Sequence, residues 1–403
     1  MVDISILARP SAVGLSHLNR LMLIARELMS RGVEVVFAFK AINEAVSLNE
    51  FRFLPVADVE VEDFNINVFN SYKREFIDSI VDDELKVISE VSPVFVMGDF
   101  SLTTAISSKI AGIPYISVVN GYMTDYFNPV DAMISSKRHP LKHRIASVLG
   151  SGIHFVKKRS LSMEFRKVAR SRGINDLVSL YDFLRGDLTL IADLPEFCPL
   201  QKLPKDFRFI GPVIWEGGHS EDIDSLNQLK KSGRIIYVTT GNTGNETLIE
   251  LALKAFGGKQ SWQLVVTSGA YIDPGRFPKV ENVVMKQFIP GSEVLKRCDV
   301  VIHCGGNGTT YQAMSHGVPA VVIPFNSDQK INAWLIKKNG VGIPLSPTGL
   351  SVDTLKQAVA KIIQDTAIKK NVKRFQALLS EVNGPKNAAK EIISFLENQE
   401  SEH

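Results

Sequence analysis

The segment from His303 to Gln329 reads HCGGNGTTYQAMSHGVPAVVIPFNSDQ. A histidine leads into Gly305, Gly306 and Gly308, with Asn307 and Thr309 interleaved. Glycines at this density let backbone approach a ligand closely. A helix opening directly after them offers unpaired N–H groups and partial positive charge. That chemistry suits a phosphate, and Asn307 and Thr309 could add side-chain donors. A second turn, VTTGNTGN, holds Thr240 and Gly241 at the end of an earlier strand and could supply further phosphate donors. Tight strand–helix turns without any ligand are the plainer reading of both segments. No lysine follows a glycine loop at the P-loop position and the dinucleotide fingerprint is absent, so ATP hydrolysis and nicotinamide chemistry both lose ground.

These turns need elements to hold them. The first half alternates apolar runs with amphipathic segments: DISILARP, then HLNRLMLIARELMSRG, then VEVVFAF, and later PVFVMGD, SLTTAISSKIAG and PYISVV. Leu18, Leu21, Met22, Ala25, Leu28 and Met29 share one predicted helix face. LTLIAD reads as the last strand of this half. The second half repeats the grammar with RIIYVTTG, WQLVVTSG, ENVVMKQF, DVVIHCGG and PAVVIPF. Apolar runs without alternation predict parallel strands covered on both faces. The fold class is therefore α/β, with two Rossmann-like doubly wound domains facing a cleft. The predicted boundaries are 1–214, a linker at 215–233, a second domain at 234–385, and a C-terminal helix at 386–403 packing back on the first. Notable residues then fall at strand ends, where open α/β sheets bind ligands.

Composition narrows the class. The 403 residues suit two domains, with 45% apolar and 22% charged residues and a net charge of +3, a balance that does not argue for nucleic acid. Cys198, Cys298 and Cys304 give no disulfide framework or metal-ligand spacing, which fits a reducing, cytoplasmic setting. The N-terminus reads as a strand rather than a signal peptide, and no apolar run is long enough to span a bilayer.

In combination, HCGGNGTTYQAMSHGVPAVVIPFNSDQKINA resembles the donor-binding signature of the UDP-glycosyltransferase superfamily, which includes macrolide, sterol and plant natural-product glycosyltransferases. FIPGSEVLKRCDVV and GLSHLNRLMLIARELMSRGVEVVFAF resemble its nucleotide-approaching segment and its first loop and helix. The resemblance covers essentially the whole chain and implies the glycosyltransferase B fold. The N-terminal domain would bind the acceptor and the C-terminal domain the nucleotide-sugar. Phe288 falls where the family stacks an aromatic on the base. His303 matches the residue that donates to the diphosphate. Asn307, Gly308 and Thr309 lie on the phosphate turn. Asp328 and Gln329 match the pair that bonds hydroxyls of the transferred sugar. Tyr311 departs from the pattern, standing where the family has a ribose-binding glutamate. That departure weakens the case for UDP and keeps dTDP, which lacks the 2′-hydroxyl, in view.

Sugar transfer to a hydroxyl needs a base, and His17, just past the first strand, matches the family's catalytic histidine. Asp99 ends the strand PVFVMG and is the candidate partner for the other ring nitrogen, although an aspartate there can also be a plain N-cap. The implied reaction is inverting and metal-independent, with no cofactor. A hexose-type sugar moves from a UDP- or dTDP-sugar to a hydroxyl of a small or lipophilic acceptor. A same-fold epimerase or hydrolase, and a non-catalytic regulatory partner, are the alternatives. Met123, Phe127 and Phe155 could face an apolar acceptor or could be core. Between Lys137 and Arg172 stand eleven Lys or Arg residues and one acid, Glu164. That stretch could line an acceptor groove, lie peripherally on an anionic membrane, or be a solvated helix face. Sugar, nucleobase, acceptor and oligomeric state are not legible in the sequence.

Overall fold

The computed structural model describes residues 4–12, 14–39, 50–58, 71–128, 162–217, 221–229, 233–241 and 244–401. The chain divides into two compact units, Met1–Val213 with Asn383–His403, and Ile214–Val382.

The first unit is built on a seven-stranded sheet: β1 (Ser5–Pro10), β2 (Glu34–Ala38), β3 (Arg52–Leu54), β4 (Phe95–Asp99), β5 (Tyr115–Val119), β6 (Leu188–Ile191) and β7 (Phe207–Phe209). The order is β3-β2-β1-β4-β5-β6-β7 and every pairing is parallel. β1, β4, β5 and β6 are buried at every position, which is why their sequences run apolar without alternation. Its helices include α1 (Leu15–Met29), α2 (Arg74–Val91), α3 (Thr104–Ala111), α4 (Met163–Ser171) and α5 (Leu180–Leu184).

The second unit repeats the plan with β8 (Arg234–Thr239), β9 (Trp262–Thr267), β10 (Val283–Lys286), β11 (Val300–His303), β12 (Ala320–Val322) and β13 (Gly342–Pro344). These run in the order β10-β9-β8-β11-β12-β13, again all parallel. Its helices include α6 (Glu246–Phe256), α7 (Gly291–Leu295), α8 (Asn307–Ser315), α9 (Ser327–Asn339), α10 (Val352–Gln364) and α11 (Thr366–Ser380). In each sheet the strand order reverses once, between β1 and β4 and between β8 and β11. At such a reversal the loops leave in opposite directions and open a crevice at the carboxyl ends of the strands.

The structure departs from the sequence reading in several places. β6, the LTLIAD segment, is not the last strand of its half, because Phe207–Phe209 adds β7. β3, β7 and β13 are three-residue strands at sheet edges, too short to carry a periodic signal. Met29 is 41% exposed, while the other five residues of the predicted α1 face are buried. The stretch read as a linker falls within the second unit, and its 3-10 segment Glu221–Gln228 buries Leu226. Of the basic stretch, residues 137–161 lie outside the described residues, as does Phe155. Its described end, α4, buries Phe165, Val168 and Ala169 against its own unit, and Arg172 pairs with Asp78 and Asp82 of α2.

The last helix, α12 (Gly384–Ser401), returns to the first unit. Ala388, Ala389 and Ile392 are fully buried in the core cluster that also holds Leu18, Leu21 and Ala25 of α1. Asn387 Nδ2 donates to the Ile210 carbonyl at 3.0 Å. The C-terminus therefore backs the helix that begins beside His17. Ile392→Ala should lower stability by about 2–5 kcal/mol. A denaturant midpoint unchanged from wild type would show that α12 is not part of this core.

Candidate active site

In the first unit the candidate residues meet at the β1/β4 reversal. Asp99, the last residue of β4, is fully buried. Its Oδ1 lies 2.8 Å from His17 Nδ1. Arg20 grips the same carboxylate twice, Nε to Oδ2 at 2.6 Å and Nη2 to Oδ1 at 2.8 Å. His17 and Arg20 stand three residues apart in the first turns of α1, so they share a helix face. Burial by itself would raise the Asp99 pKa. The charge of Arg20 and its bonds, with those of His17, override burial and hold the carboxyl below its ordinary value. An ionised carboxylate has no proton to give, so Nδ1 of His17 must carry the hydrogen. That leaves the lone pair on Nε2, the arrangement of a base.

The network extends outward. Arg20 Nη1 donates to Asn120 Oδ1 at 3.2 Å. Asp193 Oδ2 accepts from the Gly121 amide at 2.6 Å and from Asn120 Nδ2 at 3.4 Å. Asn120 follows β5 and Asp193 follows β6, so the carboxyl ends of three neighbouring strands are tied to the start of α1. Phe100 has φ 53, in the left-handed region that a bulky residue rarely enters. Its ring stacks on the His17 imidazole, with centroids 5.5 Å apart and planes 13° from parallel. Phe100 also lines a cavity of about 20 Å³ with Arg9, Asp58, Tyr72 and Phe165. Of the residues considered for an apolar acceptor, Phe127 is buried, and Met123 packs partly buried against a core cluster.

In the second unit the two glycine turns are neighbours, because β8 and β11 pair with Thr239 opposite His303. His303 is 1% exposed. The Gly305 amide donates to its Nδ1 at 3.0 Å, so the ring hydrogen sits on Nε2. Among the described residues, that Nε2 has no hydrogen-bond partner. Burial holds the pKa of His303 down to about 3, so the ring is a neutral donor. α8 begins at once, with no side-chain cap on its N-terminus and no acid in its first turn. At Gly306 and Gly308 a side chain would enter open space, so their absence leaves the turn uncovered. Gly305 differs: it has φ +94, and a Cβ there would press on Val322 and on the Gln329 carbonyl. Asn332 Nδ2 holds the Gly305 carbonyl at 2.9 Å. The start of α9, which carries Asp328 and Gln329, is thereby packed against the glycine turn. Thr309 is half-buried, and Phe288 is 41% exposed.

Three sequence expectations change. The turn with Thr240 and Gly241 was expected to supply phosphate donors, but the Thr240 hydroxyl donates to the Ser268 carbonyl at 2.8 Å, and the Gly241 amide donates to Thr239 Oγ1 at 3.2 Å. The rest of that turn, Asn242 and Thr243, lies outside the described residues. Tyr311 is fully buried and partnered within the protein, so it is a core residue of α8 rather than a ribose contact. Gln329 is buried and uses Oε1 to accept from the amides of Phe325 and Asn326 at the start of α9, so that oxygen serves the helix cap. Asp328 is exposed on the first turn of that helix. Sequence reasoning missed Arg20, Phe100, Asn120 and Asp193. Arg20 alone carried a signal, as a cation three residues after His17 on the same helix.

Two parallel-sheet α/β units, each with one reversal of strand order, have the architecture of the glycosyltransferase B fold. Residues 264–395 match the family described as "Erythromycin biosynthesis protein CIII-like, C-terminal domain". The "PGL/p-HBAD biosynthesis rhamnosyltransferase" of Mycobacterium bovis (strain BCG / Pasteur 1173P2) is 29% identical over 367 residues, covering 87% of this chain and 79% of that protein. The crystal structure of the glycotransferase of kitacinnamycin superposes with a TM-score of 0.77 at 21% identity, over 98% of this chain and 99% of the other. The Streptomyces sp. SF2575 glycosyltransferase SsfS6, complexed with thymidine diphosphate, gives 0.68 at 19% identity, over 97% and 99%. The chain is similar over most of its length to glycosyltransferases of the natural-product type, and it is a glycosyltransferase.

Arg20→Leu strips a fully buried carboxylate of its main counter-charge and should cost about 3–5 kcal/mol of stability, read by chemical denaturation. The Asp99 carboxyl is lowered in the folded protein, so its stabilisation is complete above the unfolded value of about 3.9 and is lost as pH falls through the folded value. Asp99→Asn should therefore flatten the acid limb of the stability curve, and an unchanged limb would contradict the ion pair. Separately, the His303 ring should stay neutral and Nε2-protonated between about pH 5 and 8 by NMR. A titration midpoint near 6.5 would show that burial does not set its charge.

Proposed function

We propose that the protein is an inverting glycosyltransferase that moves a hexose-type sugar from a nucleoside-diphosphate sugar to a hydroxyl of a small or lipophilic acceptor, without a metal ion. The observation that carries this reading is the orientation of His17. A buried, ionised Asp99 on Nδ1 leaves Nε2 as the only nitrogen able to take a proton. Nε2 removes the proton from the acceptor hydroxyl as the oxygen attacks the anomeric carbon. Attack comes from the face opposite the departing diphosphate, so configuration inverts. Asp99 keeps the ring in its tautomer and steadies the imidazolium as it forms.

Negative charge then gathers on the leaving diphosphate. His303 meets it with a neutral N–H that no protein group occupies among the described residues, and the uncapped start of α8 adds backbone N–H groups. Both donors are in place before the reaction, which is what makes such groups effective. Asn307, Gly308 and Thr309 belong to the same turn. Asp328 and Gln329 bind hydroxyls of the sugar, and Phe288 offers its exposed ring to the base.

The donor reading favours dTDP over UDP. Tyr311 puts a buried phenol where the ribose-binding glutamate stands in the family, so no carboxylate at that position receives a 2′-hydroxyl. A neighbour of the same fold is described as complexed with thymidine diphosphate, in keeping with this preference. A rhamnosyltransferase among the relatives fits a hexose-type sugar.

Release of nucleotide from dTDP- and UDP-sugars, with a panel of phenolic and aliphatic hydroxyl acceptors, tests this reading. His17→Ala should lower turnover by about 10²–10⁴-fold while leaving donor affinity unchanged. Transfer by that variant at the wild-type rate would remove His17 as the base. In competition, dTDP should bind at least as tightly as UDP, and a preference for UDP of about tenfold or more would overturn the assignment from Tyr311.

A further inference from the structure

Two large aromatic side chains of the second unit are left substantially uncovered and touch one another. Trp215 is 39% exposed and Phe288 is 41% exposed. Their ring centroids lie 5.9 Å apart with planes 31° from parallel. Leaving two rings of this size in water is unfavourable unless something covers them. Trp215 is held in place by its backbone rather than by burial of its indole. Gln312 Nε2 donates to the Trp215 carbonyl at 3.2 Å, and Ser292 Oγ donates to the Glu216 carbonyl at 2.8 Å. Gly217 lies against Pro290, with no room for a side chain between them. The segment is therefore strapped across the loop that carries Phe288, and its indole is presented rather than packed.

We infer that Trp215 is a second nucleobase-binding residue, forming with Phe288 a two-ring platform on which the base of the donor stacks. This rests on the nucleotide-sugar reading of the second unit and adds to it a residue from outside the glycine-rich signature. The two rings lie 5.9 Å apart with planes 31° from parallel, and a base stacks on the exposed aromatic surface they share. Gln312 makes the placement specific to a nucleotide. It belongs to α8, the helix whose N-terminus faces the diphosphate, and sits five residues after Asn307, about 7.5 Å along the helix axis. One helix thus spaces the platform from the phosphate turn at the scale of a nucleoside.

The test uses the full chain, with dTDP and UDP titrated by calorimetry while intrinsic tryptophan emission is followed in parallel. Nucleotide binding should quench the emission of the wild type. In Trp215→Phe the quench should vanish while affinity stays within about threefold, since a flat ring remains. Trp215→Ala should weaken dTDP about fivefold to tenfold. Wild-type affinity in Trp215→Ala, or a full quench in Trp215→Phe, would overturn the role of Trp215 and leave the nucleotide reading standing. If the wild type binds neither nucleotide, the donor reading itself falls, and this inference with it.

Discussion

A carboxylate with no access to water must be compensated on the spot, and Asp99 is compensated by three nitrogens of α1. This constraint orders the rest of the first unit's site. Arg20 cannot leave without stranding the charge, so the start of α1 is fixed against the end of β4. His17 is carried on the same turn and is fixed with it. Asn120 and Asp193 continue the chain of bonds to the ends of β5 and β6. A second buried arginine does similar work beside it. Arg9, near the end of β1, pairs with Asp58 at 3.0 Å and Glu84 at 2.8 Å, and Glu84 also accepts from Thr103 and Ser107. Strand ends that would otherwise be free loops are cross-linked through desolvated ions, which makes the imidazole a preorganised group.

The second unit solves the opposite problem with neutral groups. In the proposed reaction the leaving diphosphate brings its own charge, and a permanent cation in the turn would hold the product as firmly as it helps the reaction. His303 is kept neutral by burial and given a defined tautomer by one backbone amide. Among the described residues its Nε2–H has no hydrogen-bond partner, and the start of α8 carries no side-chain cap. The two sites therefore divide the electrostatics. Paired ions set the tautomer of His17, and burial with one backbone amide sets that of His303. Asn332 and Gly305 make the second arrangement rigid by locking the glycine turn to α9.

Much of this was legible in the amino-acid order because parallel sheets covered on both faces write themselves as unbroken apolar runs, and ten of the thirteen strands among the described residues were found that way. The three that were not are edge strands of three residues, where neither periodicity nor length gives a signal. His17, Asp99 and His303 were visible because each ends or follows such a run. Arg20 was hidden by its surroundings in sequence, since a cation on an amphipathic helix ordinarily reads as solvated. Only the β1/β4 reversal turns its face toward a buried carboxylate. Trp215 was hidden for the converse reason, standing in a polar stretch that read as a linker and yet belongs to the second unit.

The sequence by itself determined the class of fold and the glycine turn with its histidine, because those depend on local pattern carried by single segments, and its resemblance to a known family implied the reaction class. Tertiary structure alone decided which atoms of those side chains are available. It placed the proton of His17 on Nδ1 by putting an ionised carboxylate there, and the proton of His303 on Nε2 by putting an amide opposite Nδ1. It withdrew Tyr311 into the core and half of Gln329 into a helix cap. Protonation state and hydrogen-bond capacity are set by the partners and the solvent around a group, and those partners come from segments far apart in the chain.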